Sequence, residues 1–431
     1  MSEILRQGTF DSFVLIEMEV KKEIRYSKIN NKKTRNKKII DLIHSFGLIN
    51  FIDSKIFIGK TYGLSIWDKT RIGLSLDPLV LFRKRKFIFE QHTPDINLIK
   101  FDCYENNFEK IVCDLLPQHI PDDFYSICKY IGKKINIFFA QNPLFHIKTH
   151  SKIAAISANG SKIIRSQHGG AYGQSASHQC SKNEYDTCHF FTNWGWSNHL
   201  GYPRDKFVNL PSPLISKLAI RYKRSTSIKN NLLLYVSSSD RKYLYTYNSW
   251  LLPEQQLNWM KQKVSFIKSL DHHLINKFTY RPYIHDLGSN DDEFMQNELG
   301  FNLKLLTGGN IYRIMNKYKL MIFDHRSTGY LFRLALNMPM IIHYDRNYFL
   351  MFEEAEKDMD ELRQVNIFFH DPKKAAAHVN SIYENIDLWW SNPQVQKALQ
   401  KHVKKYALNS TTWFKEWKNF IHKINSESVK Q

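Results

Sequence analysis

The chain is 431 residues long, 43% hydrophobic and 14% aromatic, with a formal net charge of +20. It is too long for one ordinary domain and apolar enough for two sizeable cores, and no stretch is collagen-like or prion-like. It contains no run of about 18 apolar residues, so no membrane-spanning helix is predicted.

The amino-terminal stretch MSEILRQGTFDSFVLIEMEVKK lacks the basic start and long apolar core of a signal peptide. Residues 1–107 alternate apolar runs with basic ones and give no clear class of element. Two basic runs stand out, KINNKKTRNKK (Lys28–Lys38) and FRKRKF (Phe82–Phe87). Such charge suits an anionic partner: nucleic acid, an acidic membrane leaflet or a phosphorylated substrate. A solvated lysine-rich face is the plainer alternative. Five cysteines, Cys103, Cys113, Cys128, Cys180 and Cys188, form no CxxC pair, which suits a reducing cytoplasm. Cys180 and Cys188 stand near histidines, but their spacing fits no structural zinc module, so no metal is expected.

From residue 133 a rhythm appears. KKINIFFA (Lys133–Ala140) predicts a buried strand, Leu144–Gly160 a helix with a glycine stop, and SKIIRS (Ser161–Ser166) a second strand. The loop QHGGAYG (Gln167–Gly173) follows, then a strand-like run at Thr187–Trp196. Strand, helix, strand and loop imply a parallel sheet. Leu210–Asn230 is rich in Pro, Ser and Lys and predicts a linker. A second α/β rhythm follows: strand Asn231–Val236, a long helix over Glu254–Lys277, strand Phe278–Tyr283, strand Leu303–Leu306, helix Ile311–Tyr318, strand Lys319–Asp324, helix Thr328–Asn337 and strand Pro339–Asp345. The expected fold class is therefore α/β with two Rossmann-like, doubly wound domains. The expected boundaries are 1–210, a linker at 211–230, 231–390, and carboxy-terminal helices at 391–431 that pack back across a cleft.

Ligands of open α/β sheets sit beyond the carboxyl ends of the strands. Four loops qualify, those after Ser166, Val236, Leu306 and Phe323. In FDHRSTGY, Asp324 ends a strand, Ser327 and Thr328 stand at a helix N-cap, and Gly329 lets backbone approach, a combination that suits a phosphate. LTGGN repeats the pattern with Thr307, Gly308 and Gly309. Neither is a Walker loop or a GxGxxG, which disfavours NTP hydrolysis and NAD. Arg281, at a strand end, could hold a diphosphate or a carboxylate with both arms. Gly169 and Gly170 permit unusual backbone angles and leave room for a ligand. His168 beside them could take a proton near neutral pH, or steady a phosphate. For each of these the alternative is plain capping or packing.

Four separated motifs occur in order: QHGGAYG, NWGW, DHRSTGYLFRLALNMPMI and DLWWSNPQVQKALQKHVKKYALNSTTWFKEW. Together they resemble a family of transferases from bacterial surface-polysaccharide gene clusters, distantly similar to Kdo transferases and CDP-glycerol glycerophosphotransferases. The resemblance spans Phe108 to Ile424. It implies a GT-B fold, with two Rossmann-like domains facing across a cleft. It implies that Gln167, His168, Gly169, Gly170, Tyr172 and Gly173 form the amino-domain motif, and Trp194, Gly195 and Trp196 the tryptophan motif. Asp324, Ser327, Thr328, Leu331, Leu334, Asn337 and Pro339 match the carboxy-domain motif. Phe332 departs from it, since an acidic residue is common there. HYD likewise replaces a more usual tryptophan-bearing stretch.

A GT-B enzyme needs neither metal nor cofactor if helix dipoles and cations neutralise the leaving nucleotide. The resemblance thus implies a metal-independent glycosyltransferase with the donor in the second domain, the acceptor in the first, and His168 facing the reacting centre. A CMP-activated ulosonic acid is one candidate donor, and a surface polysaccharide or lipopolysaccharide, saccharide or lipid-linked, the acceptor. The alternatives are a CDP-alditol-phosphate transferase or a GT-B sugar-nucleotide epimerase. A basic nucleic-acid-binding protein is a third reading, but no RRM, KH, helix-turn-helix or zinc-finger pattern occurs. No nucleic-acid partner is expected. The expected location is the cytoplasm, with peripheral attraction of the basic runs to an anionic inner leaflet.

Overall fold

The computed structural model describes residues 56–58, 63–76, 136–139, 160–176, 181–198, 200–223, 230–239, 251–283 and 290–430, with a few isolated positions besides. The basic runs at 28–38 and 82–87, and Cys103, Cys113, Cys128 and Cys180, lie outside these residues.

The described strands form two sheets, both wholly parallel. The first runs β1 (Ile56–Ile58), β2 (Ile137–Phe139), β3 (Lys162–Ser166), β4 (Phe190–Asn193) and β5 (Phe207–Asn209), in that spatial order. The second contains β6 (Leu233–Val236), β7 (Phe278–Arg281), β8 (Leu320–Phe323), β9 (Met340–His343) and β10 (Phe368–Phe369) in the order β10-β9-β8-β6-β7. The strand order reverses between β6 and β8, so the crevice of the second sheet opens there. This is the pair of Rossmann-like α/β sheets that the motifs implied.

Strands such as LLYV, LMIF and MIIH are continuous apolar runs because a parallel sheet is covered on both faces. Alternate residues go to different cores. Leu233, Tyr235, Leu320, Ile322 and Ile341 face one cluster. Leu234, Val236, Met321, Phe323 and Ile342 face another, which also takes Phe138, Ile163 and Phe191 of the first sheet. One apolar core therefore runs through both sheets. Burying each large side chain in it contributes about 1.5–3 kcal/mol.

Helix α1 (Ile66–Leu76) starts in a reciprocal cap. Ser65 N donates to Asp68 Oδ2 at 2.8 Å, and Asp68 N donates to Ser65 Oγ at 3.2 Å. The six-residue helix α2 (Ser181–Asp186) lies between β3 and β4. The stretch expected to be a linker instead carries helix α3 (Pro213–Lys223), which buries Ile215, Leu218 and Tyr222. The long helix expected at 254–277 is split into α4 (Pro253–Lys268) and a short turn at His272–Ile275. The helix expected at 311–318 is two 3-10 turns, Ile311–Arg313 and Met315–Lys317, and the strand before it is reduced to one bridge between Leu305 and Tyr280.

Helix α5 (Thr328–Ala335) follows β8, α6 (Glu353–Gln364) precedes β10, and α7 (Pro393–Tyr406) packs against both α5 and α6. The last helix, α8 (Trp413–Lys430), returns to the first sheet. There Trp417 meets Phe139 at 5.7 Å and donates its Nε1–H to Pro211 O at 2.8 Å. Among the described residues no helix is long and apolar enough to cross a membrane.

Candidate active site at the seam between the sheets

The loop after β3 and the loop after β8 touch each other. Gly170 N donates to Thr328 Oγ1 at 2.9 Å. A Cβ on Gly170 would stand 2.6 Å from the Ser327 carbonyl carbon and 2.8 Å from Thr328 N, whereas one on Gly169 would meet only Thr328 Oγ1 at 3.3 Å. The space these glycines open is filled by the other sheet's loop. Gln174 and Tyr330 pair at 2.7 Å, Phe352 N donates to Gln174 O at 2.9 Å, and Ala176 N donates to Leu350 O at 3.1 Å. Arg326 adds Nη2 bonds to Ser175 Oγ at 3.2 Å and Leu350 O at 3.3 Å.

Most of the QHGGAYG motif builds this loop. Gln167 is buried; its Oε1 accepts from Trp194 N at 3.0 Å and Trp196 Nε1 at 2.9 Å, and its Nε2 donates to Gly169 O at 2.9 Å. Gly173 has φ +71° and lies under the Trp196 ring, where no Cβ fits. The tryptophan motif packs the two sheets together. Trp194 meets Phe332 at 6.4 Å, and Gly195, at φ +113°, makes room for the Lys404 carbonyl. Phe332 is thus a core residue that also stacks edge-on with Tyr312 at 4.7 Å.

His168 is different. It keeps 29% of its side chain exposed. Its Nε2 lies 3.0 Å from Glu184 Oε1 and 2.7 Å from the Tyr172 hydroxyl, which itself donates to Glu184 Oε2 at 2.7 Å. Among the described residues Nδ1 has no partner. Arg165, one β3 pleat back, is buried, and its three guanidinium nitrogens have no hydrogen-bond partner among the described residues. Burial lowers its pKa, and the charge that most opposes this is Glu184. Burial likewise pushes the Cys188 thiol up to about 12, so it stays a thiol.

The carboxyl edge of the second sheet departs from expectation at several positions. Asp324 is fully buried and saturated. It accepts from Ser237 Oγ at 2.8 Å, Ser238 N at 3.0 Å and His325 Nδ1 at 2.6 Å, and pairs with Lys263 Nζ at 3.4 Å. It closes the β6–β8 crevice instead of presenting a carboxylate there. Burial raises its pKa, but Lys263 and His325 outweigh burial and hold it down to about 2. Arg281 spends both arms on the loop, donating to Gly308 O at 2.6 Å and Gly309 O at 2.7 Å. Thr307, Gly308 and Gly309 are exposed, and the 3-10 turn after them is too short for a helix-dipole site. A Cβ on Gly329 would meet the Phe323 ring at 2.9 Å, so that glycine serves packing.

Thr328 is committed to Gly170, which leaves Ser327. Its hydroxyl is half-buried at the N-cap of α5 and makes no capping bond. Beside it, Arg326 is buried, with Nε and Nη1 unpartnered among the described residues. The loops that carry His168, Ser327 and Arg326 thus meet at one seam, whereas Arg281, Asp324 and Gln167 are taken into the scaffold. Sequence reasoning missed Glu184, Arg165, Lys263 and Arg326. Only Arg326, inside the DHRSTG motif, carried a signal that could have flagged it.

A family profile described as LIC12162 family transferase matches residues 1–421. No curated protein matches the chain. Among solved structures, a Listeria monocytogenes protein assigned as a UDP-N-acetylglucosamine 2-epimerase is 10% identical with TM-score 0.44, covering 72% of this chain and 81% of its own. MurG from Acinetobacter baumannii is 10% identical with TM-score 0.40, covering 70% and 77%. The wall teichoic acid polymerase TagF is 10% identical with TM-score 0.37, covering 68% and 74%.

Proposed function

Because the chain belongs to the LIC12162 family of transferases, we propose that it moves a sugar from a nucleotide-activated donor to a saccharide acceptor. The observation that carries this reading is His168: a partly exposed imidazole just past the carboxyl end of β3, tied down through Nε2 and, among the described residues, without a partner at Nδ1, in the loop whose Gly170 meets Thr328 at the start of α5. In the proposed step Nδ1 takes the proton of an acceptor hydroxyl. The freed oxygen bonds to the anomeric carbon, and the bond from that carbon to the nucleotide phosphate breaks. Developing charge on the phosphate would be met by Arg326, the Ser327 hydroxyl and the first N–H groups of α5. This scheme assigns no step to a metal. A CMP-activated ulosonic acid remains the proposed donor and a surface polysaccharide, free or lipid-linked, the proposed acceptor. The basic runs are proposed to hold the protein at an anionic leaflet, with binding that salt reverses.

Two measurements test this. A panel of CMP, CDP, UDP and RNA in a thermal-shift assay should give stabilisation by one nucleotide that grows with its concentration. A response to CDP with transfer of an alditol phosphate would replace the sugar reading, and salt-sensitive RNA binding with no nucleotide response would end it. With the donor known, His168→Ala should keep the fold and lose at least about 100-fold in turnover, the scale of a general base. Normal turnover in that variant would make His168 a packing residue.

A further inference from the structure

We propose that Glu184 is the positioning residue of the His168 base: it fixes the imidazole as the Nε2–H tautomer and thereby leaves Nδ1 as the nitrogen that receives a proton. The inference rests on the reading of His168 as a general base.

The argument is a count of protons. Tyr172 has a single hydroxyl proton, and it goes to Glu184 Oε2 at 2.7 Å. The tyrosine oxygen then offers only lone pairs to His168 Nε2, 2.7 Å away. Glu184 Oε1, 3.0 Å from the same nitrogen, offers only lone pairs as well when the carboxyl is ionised. Two acceptors on one ring nitrogen require that nitrogen to carry the hydrogen. The other nitrogen of a neutral imidazole is then bare. Ionisation of Glu184 in a buried place needs a countercharge. Arg165 on β3 is the buried cation on which Glu184 acts most strongly, opposing the lowering of its pKa by burial.

The carboxylate is also held still. Its neighbour on α2, Tyr185, sits among Phe191 at 4.7 Å, Phe207 at 5.0 Å and Tyr202 at 5.8 Å. Tyr202 OH donates to Asp186 Oδ1 at 2.6 Å and anchors the end of the same helix. A six-residue helix has little stability of its own. Packing and these bonds set where Glu184 points, which is the support a preorganised base needs.

The test reads the tautomer directly, with no substrate. In the full chain labelled with 15N-histidine, the His168 signals are assigned by their loss in His168→Gln. At a pH where the ring is neutral, the wild type should show Nε2 protonated and Nδ1 bare. Glu184→Gln, whose amide can donate to Nε2, should invert that pattern or mix it. Tyr172→Phe keeps the carboxylate on Nε2 and should keep the pattern. A wild type with Nδ1 protonated overturns the proposal without any variant. So does a folded Glu184→Gln with an unchanged tautomer, or inversion by Tyr172→Phe alone. In turnover, Glu184→Gln should lose at least about 100-fold in kcat with KM changed less than about twofold; loss confined to KM would also overturn it. Failure of the general-base reading is a separate result: it shows as normal turnover in His168→Ala while the tautomer pattern stands.

Discussion

The two sheets end differently at their carboxyl edges. Beyond β3, one polar network stops short of closing: Glu184, Tyr172 and Arg165 lie inside, and His168 carries the network to the surface with one nitrogen unspent. Beyond β8, the network closes on itself: Asp324, Lys263, His325 and the loop of Ser237 and Ser238 satisfy one another out of water. Buried charges that are mutually satisfied make a rigid frame, and a polar group left with an open valence at an edge can do chemistry. The same fold element, a strand end, is spent once on stability and once on reactivity.

Substitutions can break this contrast in order of size. Asp324→Ala should cost most, about 3 kcal/mol, the lower end for a broken buried pair because Asp291 still faces Lys263 at 3.4 Å. The midpoint of denaturant unfolding measures it. The acid limb should agree. A carboxylate depressed to about 2 in the fold stabilises the protein above its unfolded value near 4, and that contribution drains as pH falls from about 4 toward 2. A variant as stable as wild type, with a weakened nucleotide, would return Asp324 to the ligand site.

Next comes the seam. Gly170→Ala should cost about 2 kcal/mol, since its Cβ meets backbone of the facing loop. Gly169→Ala, against only a threonine hydroxyl, should cost under about 1 kcal/mol. Equal melting temperatures for the two variants would mean that the loops do not meet in solution. Arg281→Lys loses a two-armed grip on the 308–309 carbonyls and should cost about 1 kcal/mol, read as faster proteolysis at residues 306–310. Weaker nucleotide binding with an unchanged loop would instead restore the diphosphate role. His168→Ala removes one donor from the buried Glu184 carboxylate and should likewise cost about 1 kcal/mol, in the same variant expected to lose turnover.

Much of this frame was legible in the sequence. The β-branched and aromatic runs before Gln167, Ser237 and Asp324 marked β3, β6 and β8, and the glycine loops marked where the strands end. The partners of those loops were not legible. Glu184 and His168 share no period, since they sit on different elements brought together by folding. Lys263 reads as an ordinary polar position of an amphipathic helix, and partners on other elements, Asp324, Asp291 and the Ser238 carbonyl, account for its burial. The segment after Gly309 has helical spacing but too little length before β8, so it settles into 3-10 turns capped by Asn310. Glycine next to histidine suggested room for a ligand; the same residues make room for backbone.

The return of α8 to the first sheet means that the polypeptide passes between the sheets twice, once after Lys223 and once after Tyr406. The second passage is stitched to the start of α3, with Ser212 N donating to Leu408 O at 2.8 Å and Ser410 N to Ser216 Oγ at 3.1 Å. In mechanical terms the stitch is a fixed point: it ties the carboxy-terminal passage to the first turn of α3, so parting of the Gly170–Thr328 contact either leaves that point in place or breaks both of its bonds.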